Sequence, residues 1–133
     1  MTAPLKIGEV ARWVGLPEKT IRYYEDVGLI SPPRSENGFR YFDLGDIQAL
    51  TIIKGARALG FSVEESRSLL ALAGNRDRSS ADVKAMASAQ LEKTRDKIAQ
   101  LKKLENQLEI LTRACHGDNQ PDCPILNYIS KIH

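Results

Sequence analysis

The sequence predicts a mostly α-helical protein: a winged helix-turn-helix domain, a long helix that pairs with a second copy, and a short C-terminal loop and helix. Three observations carry this. Up to about residue 74, apolar residues recur at helical spacing in short segments separated by turn formers. From Ser79 to Ala114 there is neither Gly nor Pro. Both cysteines of the 133-residue chain, Cys115 and Cys123, lie beyond that stretch. The expected divisions are 1–75, 79–114 and 115–133.

Ile7, Val10, Ala11 and Val14 line one face of a first helix, which Gly15 stops. Pro17 suits the first position of a second helix, which runs to Gly28 with Ile21 and Tyr24 facing inward. Lys19, Thr20, Arg22 and Tyr23 then fall largely on its other face. Trp13 and Tyr24 lie near the apolar faces and are expected in the core. Two short helices joined by a tight glycine-containing turn make a helix-turn-helix. In the following SPPRSENGFRYF, Asn37-Gly38 is a hairpin turn and Phe39 to Phe42 a strand-like run, together a wing. Asp43 caps a third helix through Ile47, Leu50, Ile53 and Ala56, ending near Gly60. Ser62 and Glu65 form a capping box for a fourth, with Leu69, Leu70 and Leu72.

The long segment opens with a further box, Ser79 to Asp82. Its apolar positions are Val83, Met86 or Ala87, Leu91, Ile98, Leu101, Leu104, Leu108 and Leu111. Leu91 to Ile98 and Leu101 to Leu108 are heptad steps, interrupted at Thr94 and Glu105. A helix of this length spans about 54 Å. A domain of about 75 residues cannot bury such a stripe, so a homodimer is expected in preference to a helix folded back on its own domain.

Hydrophobic residues at 42% and charged ones at 27% fit a folded chain, not a disordered one. No apolar run approaches a membrane span, and the opening MTAPLKIGEV lacks the plan of a secretory signal, so a cytoplasmic protein with reduced thiols is expected. There is no acid/base pair, phosphate loop or activated nucleophile, and the protein is not read as an enzyme. A net charge of +2 does not argue for nucleic acid, and residues 1 to 60 hold eight Lys/Arg against seven Asp/Glu. Placement does argue for it: Lys19, Arg22 and Tyr23, with Thr20 beside them, share an exposed face suited to the major groove of double-stranded DNA. Arg34 and Arg40 flank the wing turn, where the amides of Asn37 and Gly38 can meet phosphate. Lys54 and Arg57 add charge on the third helix. The competing reading leaves these side chains merely solvated.

Cys115 and Cys123 bracket seven residues in CHGDNQPDC. Gly117 can end the long helix, Asp122 or Cys123 can cap the next, and Pro124 suits its first turn. Ile125, Leu126, Ile129 and Ile132 give that helix an apolar face. A thiol at a helix N-terminus is stabilised as thiolate. Two thiolates suit a soft monovalent ion, whereas zinc usually takes four ligands. His116 as an added ligand would suit a divalent ion, although adjacent side chains seldom converge on one ion. A thiol redox switch is a further reading without the Cys-x-x-Cys spacing. A coiled-coil adaptor is another, which the α-helical surface of basic residues argues against.

The run IGEVARWVGLPEKTIRYYEDVGLISPPRSENGFRYF resembles the N-terminus of the MerR family of bacterial transcription regulators, with TIRYYE…GL and R…NGFR.Y as its specific elements. The resemblance continues through ARALGFSVEES and the long helix. It implies a winged-helix DNA-binding domain, an antiparallel coiled coil between subunits, and an effector site after the long helix. It also implies that the dimer holds an over-long promoter spacer and distorts it for RNA polymerase when the effector binds. The DNA contacts it implies are Lys19, Thr20, Arg22, Tyr23, Arg34, Asn37, Gly38, Arg40, Lys54 and Arg57. The cysteine loop, followed by PIL, resembles the copper(I)-sensing, CueR-type branch, which implies Cu(I), with Ag(I) or Au(I) as alternatives, at Cys115 and Cys123. Divalent-metal sensors carry a further cysteine at the start of the long helix. Here Ser80 stands at that place and would reach over the metal site from the partner subunit.

Overall fold

The computed structural model describes residues 5–32, 38, 41–75, 77, 79–121 and 123–131. Its helices are α1 (Ile7–Val14), α2 (Glu18–Asp26), α3 (Leu44–Ala58), α4 (Val63–Ala73), α5 (Ser80–Ala114) and α6 (Pro124–Ile129). The chain divides into two compact units, Met1–Met86 and Ala87–His133, so the division falls within α5. Arg34, Asn37, Arg40, Asp122 and Ile132 lie outside the described residues, and with them most of the wing. What is described of it is Gly38, at φ 83°, and an antiparallel bridge from Phe42 to Leu5 with N···O distances of 2.8 and 2.9 Å.

α1 begins where Glu9 accepts from the Lys6 N–H at 3.3 Å. It ends at Gly15, whose φ of 72° is open to glycine at little cost and whose N–H donates to the Ala11 carbonyl. Pro17 does not occupy the first turn of α2 as expected. Its ψ of 146° is extended, so it is the N-cap, and its carbonyl accepts from Thr20 and Ile21. A proline has no N–H to leave unsatisfied at either position, which is why the sequence could not separate them.

The expected caps of α3 and α4 form. The Asp43 carboxylate accepts from the Asp46 N–H at 2.9 Å, and Asp46 returns the bond to the Asp43 N–H at 2.9 Å. Burial, followed by the charge of Asp43, pushes the Asp46 carboxyl above the usual aspartate range, although the backbone bond from Asp43 opposes this. Ser62 and Glu65 exchange the same pair of bonds at 3.0 and 2.8 Å. At α5 the Ser79 hydroxyl caps the Ala81 N–H at 3.1 Å.

The core joins Val10 and Val14 of α1, Ile21 and Tyr24 of α2, and Ile47, Leu50 and Ile53 of α3 with Leu29, Ile30 and Phe42. Trp13 is not part of it, being 58% exposed. At about 100° per residue, Trp13 lies roughly 110° from the centre of the Ile7/Val10/Ala11/Val14 stripe, beyond the edge of what a helix buries.

Two cations close the C-termini of the first two helices from later in the chain. Lys54 on α3 donates to the Val14 carbonyl at 2.9 Å, and Arg67 on α4 donates to the carbonyls of Val27 and Gly28 at 2.6 and 3.1 Å. Each meets the negative end of a helix dipole and satisfies carbonyls that lack an intrahelical donor.

In the second unit, Leu91, Ile98, Leu101, Leu104, Leu108 and Ile110 of α5 are each between 46% and 63% exposed. Tyr128 of α6 accepts from Gln107 of α5 at 3.4 Å. No helix of the described residues is long and apolar enough to cross a membrane.

Charge-assisted bonds to carbonyls, partly shielded from water, stabilise strongly enough to be measured. Arg67→Ala is expected to lower the unfolding free energy of the first unit by about 2 kcal/mol, with Arg67→Lys recovering part of the loss. Urea denaturation followed by circular dichroism reads both.

Candidate nucleic-acid interface and thiol pair

The short α2 places its charge by periodicity. With Ile21 and Tyr24 buried, Lys19, Arg22 and Tyr23 stand exposed and Thr20 is half-buried. The Tyr23 ring rests 5.8 Å, centroid to centroid, from the buried Tyr24 ring at an interplanar angle of 50°, an anchored position for a phenol facing solvent. Arg22 is paired along the helix with Glu18, Nη2 to Oε1, at 3.6 Å, and both side chains remain about half exposed. This face carries amine, hydroxyl, guanidinium and phenol donors, the groups that grip phosphates and read base edges.

The two α3 cations are placed differently. Lys54 uses one of its donors on Val14, and Arg57 directs Nη1 to the Phe61 carbonyl at 2.8 Å, beyond its own helix end. Gly38 of the wing is exposed. Sequence reasoning missed Glu18 and Arg67. Glu18 was legible as an i, i+4 partner of Arg22. Arg67 was not, since its targets lie 39 and 40 residues away.

At the other end of the chain, α5 runs to Ala114, and the Cys115 N–H still donates to Leu111 at 3.1 Å. Gly117, at φ 63°, then turns the backbone. Cys123 is the N-cap of α6, with Pro124 at its first position. Both cysteines are free and half-buried. The Cys115 side chain comes near enough to the Cys123 thiol to act on it. The backbone N–H of Leu126 has the largest effect and brings the Cys123 thiol below the usual cysteine range; burial opposes it, and the Ile125 N–H and then the Cys115 thiol add to the lowering. His116 is exposed, and among the described residues no three His, Cys, Asp or Glu side chains gather as metal ligands. Ser80, exposed, is the first residue of α5, at the opposite end from Cys115.

Two family descriptions match the chain: "MerR HTH family regulatory protein" over residues 5–72, and "MerR, DNA binding" over residues 47–111. This chain belongs to the MerR family of helix-turn-helix transcriptional regulators. The HTH-type transcriptional regulator HmrR of Rhizobium leguminosarum bv. viciae is 50% identical over 126 residues, covering 95% of this chain and 98% of that protein. The HTH-type transcriptional regulator CueR of Escherichia coli O6:H1 is 41% identical over 127 residues, covering 95% and 94%. Among solved structures, the transcription regulator PbrR691 from Ralstonia metallidurans CH34, in complex with lead(II), has a TM-score of 0.81 at 32% identity and covers 94% of this chain and 98% of its own. As a MerR regulator the chain is a DNA-binding protein of transcription, and its family and relatives are regulators, not enzymes.

Because three donors favour the thiolate at position 123, Cys123 is expected to be alkylated by iodoacetamide with a rate midpoint below the usual cysteine pKa. Cys115→Ala removes one of those donors, so the midpoint should move to higher pH. Mass spectrometry of alkylated peptides across a pH series measures it.

Proposed function

We propose that this MerR regulator is a coinage-metal sensor that binds double-stranded promoter DNA as a homodimer and activates genes of copper efflux or detoxification. The observation that carries the reading is the pair of free, half-buried thiols after α5, with Cys115 near enough to act on Cys123 and no third ligand group gathered among the described residues. The donor set fits Cu(I), Ag(I) or Au(I): two soft sulfurs, one of them already favoured as thiolate by backbone N–H groups. Cys115 and Cys123 hold the ion, and Ser80 of a second copy lies near it. Similarity to CueR and HmrR, and to a lead(II)-bound regulator, supports metal as the class of effector.

The division of labour follows the chain. Residues 1–75 form the winged-helix DNA-binding domain, 79–114 the dimerisation helix in an antiparallel coiled coil, and 115–133 the metal-binding loop and short helix. Lys19, Thr20, Arg22 and Tyr23 enter the major groove, while Arg34, Asn37, Gly38 and Arg40 of the wing and Lys54 and Arg57 meet the backbone. In the metal-bound dimer this surface distorts an over-long spacer so that RNA polymerase, in the cytoplasm, engages both promoter elements.

Arg22→Ala is expected to lower operator affinity by more than tenfold while leaving a folded dimer, as read by gel shift at fixed salt beside gel filtration. Transcription from a cognate promoter, reconstituted with buffered Cu(I), Ag(I), Au(I), Zn(II), Hg(II) and Pb(II), tests the effector. Activation at the lowest free concentration by a monovalent ion is expected, and alanine at Cys115 or Cys123 should abolish induction while leaving DNA binding. Activation by a divalent ion at lower free concentration would overturn the monovalent assignment, and activation by peroxide without metal would replace it with a redox switch.

A further inference from the structure

An acidic side chain sits in the middle of a surface meant for a polyanion. Glu18 opens α2 and lies on the same exposed stretch as Lys19 and Arg22, with its carboxylate 3.6 Å from the Arg22 guanidinium. An exposed i, i+4 pair contributes little to stability. Glutamate in the first helical turn is favourable for the dipole, yet neutral Ser or Gln can occupy a first turn without placing a negative charge on the recognition face. The pairing therefore points to binding.

We infer that Glu18 is a specificity-determining positioning residue, which acts on DNA recognition through Arg22. The inference rests on α2 being the recognition helix. On DNA that lacks the right base, Arg22 has only phosphate oxygens to grip, and Glu18 competes with them for the guanidinium. On a site that offers guanine, two of the five guanidinium donors engage the base edge, and Nη2 keeps a further donor directed at Glu18. Glu18 thus weakens generic binding more than cognate binding. It also restrains the fork along the helix, limiting the orientations that Arg22 must give up on docking. Discrimination arises by penalising the wrong partner, a general route to specificity.

The test uses the full-length protein, a duplex recovered by wild-type selection from a random-sequence pool, and a scrambled duplex of the same composition. Glu18→Gln keeps the helix and the length of the side chain. It is expected to tighten binding to the scrambled duplex about fivefold, change binding to the selected duplex less than twofold, and steepen the generic salt dependence by about one counterion. In the Arg22→Ala background, Glu18→Gln should change scrambled-duplex binding less than twofold. A ratio of selected to scrambled affinity unchanged by Glu18→Gln would overturn the inference while leaving the recognition helix standing. So would an equal gain in the Arg22→Ala background, which would mean that Glu18 acts by its field alone. Failure of the wild type to select any sequence, or of Arg22→Ala to weaken binding, would remove α2 as the recognition helix, and the inference about Glu18 with it.

Discussion

Helices of eight and nine residues do not persist alone in water. α1 and α2 are that short, so the surface they present exists only because later parts of the chain hold them. Val10, Val14, Ile21 and Tyr24 are buried in one cluster with Ile47, Leu50 and Ile53 of α3. Lys54 and Arg67 then close the C-termini of α1 and α2 across the sequence. Apolar burial fixes which face of α2 looks outward, and the two cations fix where each helix stops. The same arrangement explains Gly15: a Cβ there would meet the Lys54 ammonium at 2.8 Å, on a backbone already in the left-handed region.

The second unit has the opposite constraint. α5 is stable in length but carries six large apolar side chains near half exposure. At roughly 25 cal/mol per Å² of apolar area, further burial of each is worth on the order of 1 kcal/mol, and the five that share one face, Leu91, Ile98, Leu101, Leu104 and Leu108, favour pairing of two helices. In the proposed homodimer this stripe is covered by its copy. The thiol pair follows directly on the last turn of α5, since the Cys115 N–H is still bonded to Leu111. In the proposed sensor, a change in the direction of Cys115 is felt by the backbone of the helix itself, a physical route from effector to rod.

Most of the fold was legible because it is written in local chemistry. The reciprocal caps at Asp43/Asp46 and Ser62/Glu65, the stop at Gly15 and the glycine-free run of α5 all act within a few residues. What was not legible acts at a distance or at the edge of a period. Trp13 sits just outside the apolar stripe of α1, where a hydrophobic side chain reads as core but is left to solvent. Lys54, Arg57 and Arg67 read as surface charge, yet each donates to a backbone carbonyl, which no pattern of side chains reveals. Ser66 reads as a polar helix position, but it is fully buried and its hydroxyl has no hydrogen-bond partner among the described residues. At the site, the spacing of Cys115 and Cys123 favoured a metal pair over a redox pair only by the lack of a Cys-x-x-Cys motif. The turn at Gly117 and the start of α6 place Cys123 near Cys115, which spacing alone does not give.

The placement of these cations changes how DNA binding must work here. Residues 1 to 60 are nearly neutral, with eight basic and seven acidic side chains. Of the eight, Lys54 and Arg57 already donate to carbonyls, and Arg22 is shared with Glu18. Charge excess cannot supply much generic attraction to a phosphate backbone, so affinity must come from well-placed contacts. One nine-residue helix offers few of those. Two copies held at a fixed separation offer twice as many, and the second set binds at the high effective concentration that tethering provides. In the proposed homodimer the apolar stripe of α5 and the recognition face of α2 are thus one requirement. In that proposal a surface this sparing in charge needs its twin, and an effector at the end of the rod acts by altering the spacing between the twins.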